Sequence, residues 1–218
     1  FYANEMGVAH TIRPYRQTIF ESSPLSRVIE QGSVGWYWQP ENYTEQGHTK
    51  KIDYGLNQNN SVLKFTVSSS GNLVCNASDM YYDSDKLYYT EITDEDEGKI
   101  RIYSDTYGRT LLKISLDYDG PQDLYTYSVY DILGRLRYIV TPLLANEIAT
   151  VGSANLGWSD NDIKNLGYAF NYDIQGRLSE KLVPGADPVW YVYDNYDRII
   201  LEQDGNLRVD GKWKFVKY

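Results

Sequence analysis

The chain has 218 residues, enough to bury a substantial core as one large domain or two small ones. Its 30 acidic residues outnumber 21 basic ones for a formal net charge of −9, which opposes association with phosphate backbones and argues against nucleic acid or anionic membrane partners. One cysteine, Cys75, and two histidines, His10 and His48, build neither a disulfide framework nor a zinc cage, whereas 22 tyrosines favour pleated, half-buried, aromatic surfaces.

The first residues, Phe1-Tyr2-Ala3-Asn4-Glu5, lack the basic-then-apolar layout of a signal peptide and do not open on Met, so a piece of a longer polypeptide is expected. No apolar run approaches the ~18 residues of a membrane span. Ser23-Pro24-Leu25-Ser26-Arg27-Val28 reads as a degenerate turn, with Pro24 at a favoured second turn position. The stretch from Gly32 to Gly55 is rich in Gly, Trp and polar residues and reads as loop. Val62 to Val67 and Leu73 to Cys75 flank Ser70-Gly71-Asn72 as a hairpin, and Leu87 to Ile92 reads as a strand before a turn at Asp94 to Gly98.

From here a motif recurs. Tyr130-Asp131-Ile132-Leu133-Gly134-Arg135-Leu136 returns as Tyr172-Asp173-Ile174-Gln175-Gly176-Arg177-Leu178 and as Tyr193-Asp194-Asn195-Tyr196-Asp197-Arg198-Ile199. Asp105-Thr106-Tyr107-Gly108-Arg109 is a copy with Ser104 in the tyrosine position. Asp at the start of a turn bonds the backbone two residues on. The Gly takes the left-handed position of a three-residue hairpin loop, and Asp197 is one of the few replacements that tolerates it. The loop predicts a register: Asp131 opposite Arg135, Tyr130 opposite Leu136, and likewise Tyr172 with Leu178 and Tyr193 with Ile199. Continued outward without interruption, it places Ile102 opposite Leu112, Ile100 opposite Ile114, Phe170 opposite Glu180 and Tyr191 opposite Leu201, with the tyrosine face as the apolar one.

Between Pro142 and Gly167 the alternation lapses. Pro142 to Ala149 fits two helical turns after an initiating proline, and Ser159 to Gly167 carries an acidic first turn and a C-terminal glycine. Lys212 to Lys217 reads as a strand leading to Tyr218, where a further copy opens. The expected architecture is all-β: antiparallel hairpin repeats stacked into one continuous curved sheet, with a short helical insertion near 142–167. Residues 1–98 form an N-terminal β region with a degenerate repeat at 20–30. Residues 99–218 hold the motif hairpins at 105–109, 131–135, 173–177 and 194–198.

Tyr-Asp-x-x-Gly-Arg-Leu resembles the signature of the YD-repeat, or RHS-type, proteins, over about Lys99 to Tyr218. Leu182-Val183-Pro184-Gly185-Ala186-Asp187-Pro188 leading to Tyr193-Asp194 is similar to large surface or secreted members from Bacteroides-like bacteria, and Ser22 to Val28 resembles the segment that opens such arrays. The resemblance implies a β-sheet that spirals into a hollow shell, an extracellular or cell-surface location, and an effector enclosed in toxin-delivery relatives. It also implies that the partners are further repeats of the same polypeptide. The motif residues are then structural, and no catalytic residue, cofactor or metal ligand is expected.

Candidate chemistry is sparse. Cys75 with His10 or His48 could pair as nucleophile and base, but Cys75 alternates with Leu73 in a strand pattern and reads as a buried thiol. The acidic runs at Asp79 to Asp85 and Asp94 to Gly98 depart from a Ca²⁺ loop and read as solvated turns. Asn42-Tyr43-Thr44, Asn59-Asn60-Ser61 and Asn76-Ala77-Ser78 match the glycosylation pattern by chance. The alternative to a structural role is a surface that binds a glycan or a protein through exposed aromatics, with Trp36, Trp38, Tyr81 and Tyr82 as its candidates.

Overall fold

The computed structural model describes residues 13–40, 47–116 and 123–218. The candidate base His10 and the Asn42 glycosylation pattern lie outside these residues. The fold is all-β, dominated by one antiparallel sheet of 13 strands. Its strands are β1 (Gln17–Phe20), β2 (Val28–Gly32), β3 (Lys50–Leu56), β6 (Tyr88–Thr93), β7 (Lys99–Ser104), β8 (Thr110–Leu116), β9 (Leu124–Tyr130), β10 (Leu136–Val140), β12 (Gly167–Tyr172), β13 (Leu178–Leu182), β14 (Val189–Tyr193), β15 (Ile199–Gln203) and β16 (Lys214–Phe215). They lie side by side in chain order, so nearly every contact in the sheet is between sequence neighbours.

Two excursions leave this order and meet on one face. The first, residues 57–87, contains β4 (Thr66–Val67) and β5 (Leu73–Cys75). The second, between β10 and β12, contains α1 (Pro142–Val151), β11 (Ala154–Leu156) and α2 (Asn161–Leu166). β11, β5 and β4 form a second, three-stranded sheet, in which Asn155 pairs with Val74 and Thr66 with Val74 from the other side. Buried Asn57 closes the first excursion at its base. Its amide donates to the Asp83 carbonyl at 2.7 Å and its side-chain oxygen accepts from the Lys86 and Leu87 amides.

The core lies between the layers. Phe65, Leu73, Cys75 and Leu87 from the first excursion and Leu144, Ala145, Ile148 and Ile163 from the second cover Tyr103, Leu112, Ile114, Tyr127, Val129, Tyr138, Val140, Ala169 and Leu182 of the large sheet. Phe65 meets Tyr127 edge-on at 4.9 Å between ring centroids, and the Tyr138 hydroxyl donates to the Gly71 carbonyl at 2.6 Å. α1 begins on Pro142 and ends on Gly152 at φ 82°, the initiating proline and left-handed glycine of an ordinary helix.

The expected register holds at each turn and fails one pair further out. Tyr130 faces Leu136, Tyr172 faces Leu178, Tyr193 faces Ile199 and Ser104 faces Thr110. Beyond that pair each of these four hairpins carries an extra residue, Leu111, Arg137, Ser179 or Ile200, with Ile29 in the same place between β1 and β2, whereas the β6–β7 hairpin continues without one. Tyr103 therefore faces Leu112, Arg101 faces Ile114, Ala169 faces Leu182 and Tyr191 faces Glu202, in place of the uninterrupted pairs read from the sequence. A one-residue bulge exchanges the two faces of the strand after it. The buried face is accordingly the one opposite the motif tyrosines.

One further reading is corrected and two features are added to it. Gly32 to Gly55 is not all loop, because β3 occupies Lys50–Leu56. There Gly55 lies under the ring of its cross-strand partner Tyr89, whose atoms stand 2.6 Å from where a Cβ would be. Helix α3 (Gly205–Val209) follows β15, capped by Asp204, whose carboxylate accepts from the Leu207 amide at 2.8 Å. The turn at Asp94 to Gly98 is a further copy of the repeat loop, with Glu97 at φ 67° in the glycine place.

Candidate functional site

The motif residues build one loop four times. In the copy at 131–135 the Asp131 amide donates to the Arg135 carbonyl at 2.9 Å and the Gly134 amide to the Asp131 carbonyl at 2.9 Å. One carboxylate oxygen of Asp131 accepts from the amides of Leu133 and Arg135, both at 3.0 Å, and the other accepts from the Arg135 Nε at 2.9 Å. Asp105, Asp173 and Asp194 repeat all of these bonds. The fourth motif position has positive φ throughout: 77° at Gly108, 78° at Gly134, 84° at Gly176 and 60° at Asp197.

Burial pushes these four carboxyls up, but the backbone amides and the arginine outweigh it and hold each below the usual carboxylate range. The degenerate copy keeps the principle with a longer loop. Glu21 replaces Asp, its amide donates to the Arg27 carbonyl, and Arg27 grips its carboxylate through Nε and Nη2, both at 2.8 Å. The Arg27 hydrogen bond, with that of Ser23, pushes the Glu21 carboxyl down to about 2.

The arginine also reaches the next repeat. Arg109 lies over the Tyr130 ring at 5.2 Å, Arg135 over Tyr172 at 5.1 Å, Arg177 over Tyr193 at 4.7 Å and Arg198 over Tyr218 at 4.7 Å. The tyrosine returns a bond. The Tyr172 hydroxyl donates to the Leu136 carbonyl at 2.8 Å, Tyr193 to Leu178 at 2.8 Å and Tyr218 to Ile199 at 3.1 Å. Each motif thus has an inward task, closing its own loop, and an outward one, fixing the tyrosine of its successor. Arg177 adds a bond to Asp197 of the following loop at 2.8 Å.

One member of this set was not legible as a motif. Arg27 lies over the Tyr54 ring at 4.3 Å, and the Tyr54 hydroxyl donates to the Val28 carbonyl at 2.9 Å. Tyr54 is followed by Gly55, not Asp, and sits mid-strand, so nothing local marks it. The only available signal was the preceding Arg27-Val28.

The other candidates fall elsewhere. Trp36 and Trp38 share a short 3-10 turn between β2 and β3 and are 40% and 43% exposed. Arg13 covers the Trp36 ring at 4.5 Å, and His48 tilts against Trp38 at 5.6 Å. Tyr81 and Tyr82 are half-buried against the core, and among the described residues no ring contact joins them to the tryptophans. Cys75 is 1% exposed, and burial pushes its thiol up, away from the reactive thiolate. Among the described residues, no group of acids, histidines or cysteines is arranged to hold a metal ion, and no helix is long and apolar enough to cross a membrane.

Residues 1–52 match a family model described as a domain of unknown function, DUF6443, which names no catalytic activity. No curated protein matches the chain. Among solved structures, the chain is similar to the TcdB2–TccC3–Cdc42 complex and to TcdB2–TccC3, each at 14% identity over 87% of this chain with a TM-score of 0.48. It is also similar to the Tc holotoxin pore of Photorhabdus luminescens carrying a TccC3 mutation, at 14% identity and a TM-score of 0.47. The chain spans 7% of the length of each of these chains.

Proposed function

We propose that the chain is a non-catalytic wall segment of a YD-repeat, RHS-type β-array, built to be continued by further repeats of the same polypeptide. The observation that supports this most is the junction itself. Five turn arginines, Arg27, Arg109, Arg135, Arg177 and Arg198, each meet a tyrosine of the following hairpin, and the last four do so in unbroken succession from Arg109 to Tyr218. A unit whose recurring side chains contact its neighbour is suited to assembly by addition, since a lone hairpin is marginal. The division at 98/99 marks, in this reading, where the motif becomes regular, while the sheet runs on through the β6–β7 pair.

The finer reading is that of an extracellular or cell-surface scaffold, of Bacteroides-like type, whose longer array forms a shell around a C-terminal effector. The test is limited proteolysis of the full-length polypeptide containing this chain. An enclosing array leaves the region after the repeats resistant until Arg135→Ala and Tyr172→Leu loosen a junction. Equal cleavage in both forms would count against enclosure. A second reading, glycan or protein binding, is favoured by the exposed faces of Trp36 and Trp38. Saturable binding on a glycan array that is lost in Trp36→Ala or Trp38→Ala would establish it over the purely structural account.

A further inference from the structure

The helical insertion forms an opening that the repeat junctions do not use. α1, the turn after it, β11 and the start of α2 line a groove of about 590 Å³, a size typical of ligand sites. Leu144, Ile148 and Val151 give it an apolar wall, and Val151 is 75% exposed. Glu147 and Asp162, both exposed, place carboxylates on it from the two helices.

The groove also follows a free strand edge. β11 pairs with β5 on one side, and among the described residues no strand covers its other side. Residues 153 to 156, which include all of β11, line the groove consecutively. An uncovered edge presents N–H and C=O groups that a further strand can satisfy, whereas a helix laid there would leave them unpaired.

We propose that this groove binds an extended segment of a partner protein, added along β11 as a fourth strand of the small sheet. An apolar side chain of the segment rests on Leu144, Ile148 and Val151, and flanking lysine or arginine residues meet Glu147 and Asp162. The overall charge of −9 favours the encounter with a basic segment. Main-chain pairing supplies the affinity, and the acids and the apolar wall supply the selection.

The test is fluorescence anisotropy of the intact chain with a labelled Lys-Val-Arg-Leu-Lys peptide and with the same peptide N-methylated at alternate residues. The expected result is saturable binding of the first that weakens several-fold as salt is raised from about 50 to about 300 mM, with the N-methylation phase that removes the N–H groups facing β11 binding more weakly than the phase whose N–H groups point away. Glu147→Lys with Asp162→Lys should weaken binding about tenfold, the equivalent of roughly 1.4 kcal/mol. Thr150→Trp, at an exposed position lining the groove, should block it. Because all three positions are exposed, unchanged thermal melts keep these variants interpretable. Absence of saturable binding, equal affinity for the two N-methylation phases, or indifference to the charge reversal would overturn the proposal. So would a dimer formed through β11 that excludes the peptide.

Discussion

At the scale of single residues, the repeat loop is a division of labour between Asp and Gly. The aspartate takes up two backbone amides and a guanidinium that a three-residue loop would otherwise leave to solvent, and the glycine supplies a conformation that side chains resist. Gly176 separates conformation from crowding, because nothing stands within 4 Å of where its Cβ would be. Gly176→Val is expected to cost about 1–2 kcal/mol through backbone strain alone, lowering the melting temperature by roughly 2–4 °C per kcal/mol. Gly176→Asn should be mild, as Asp197 already is at φ 60°. Equal melting temperatures for the Val and Asn variants would count against the loop geometry. The turn carboxylates set an acid limit. Their folded pKa values lie below the ordinary unfolded ones, so the stability they contribute is present above about pH 4 and is lost as pH falls through the folded values. Asp131→Asn should therefore lower stability at pH 7 and reduce its fall on acidification. A pH-stability curve parallel to the parent's would contradict this.

At the scale of elements, the turns were legible and the bulges were not. Loop closure is local, so Asp131, Gly134 and Arg135 declare it within five residues. Whether the next strand carries an extra residue depends on which face meets the covering layer, and the uninterrupted register consequently put Leu112 and Ile114 on the wrong face. The strand β3 was missed because its glycine is completed by Tyr89, a residue far along the chain. Tyr54 was missed for a related reason: its arginine and carbonyl partners belong to the preceding hairpin. If Tyr54 does the work of a motif tyrosine, Tyr54→Phe and Tyr172→Phe should each cost about 0.5–1.5 kcal/mol, the net worth of one hydrogen bond. Chemical denaturation reads both, and a silent Tyr54→Phe beside a costly Tyr172→Phe would remove the N-terminal hairpin from the series.

At the scale of the whole molecule, two kinds of cohesion act. Sequential strand pairing carries the large sheet through its 13 strands, whereas the two excursions lock its middle by meeting through β5 and β11 over a shared core. The sequence shows the helices of the insertion through Pro142 and Gly167, but not that β11 would pair with a strand some eighty residues earlier, since that contact rests on packing alone. What joins repeat to repeat is the arginine–tyrosine junction, and it is the claim on which the structural reading depends. A double-mutant cycle across the β10–β12 junction, with Arg135→Met, Tyr172→Leu and the pair measured by denaturation, tests it most directly, because the cycle cancels the loss of the Asp131 ion pair. The account predicts a coupling energy of about 0.5–1 kcal/mol or more; effects that add to within about 0.3 kcal/mol would contradict it.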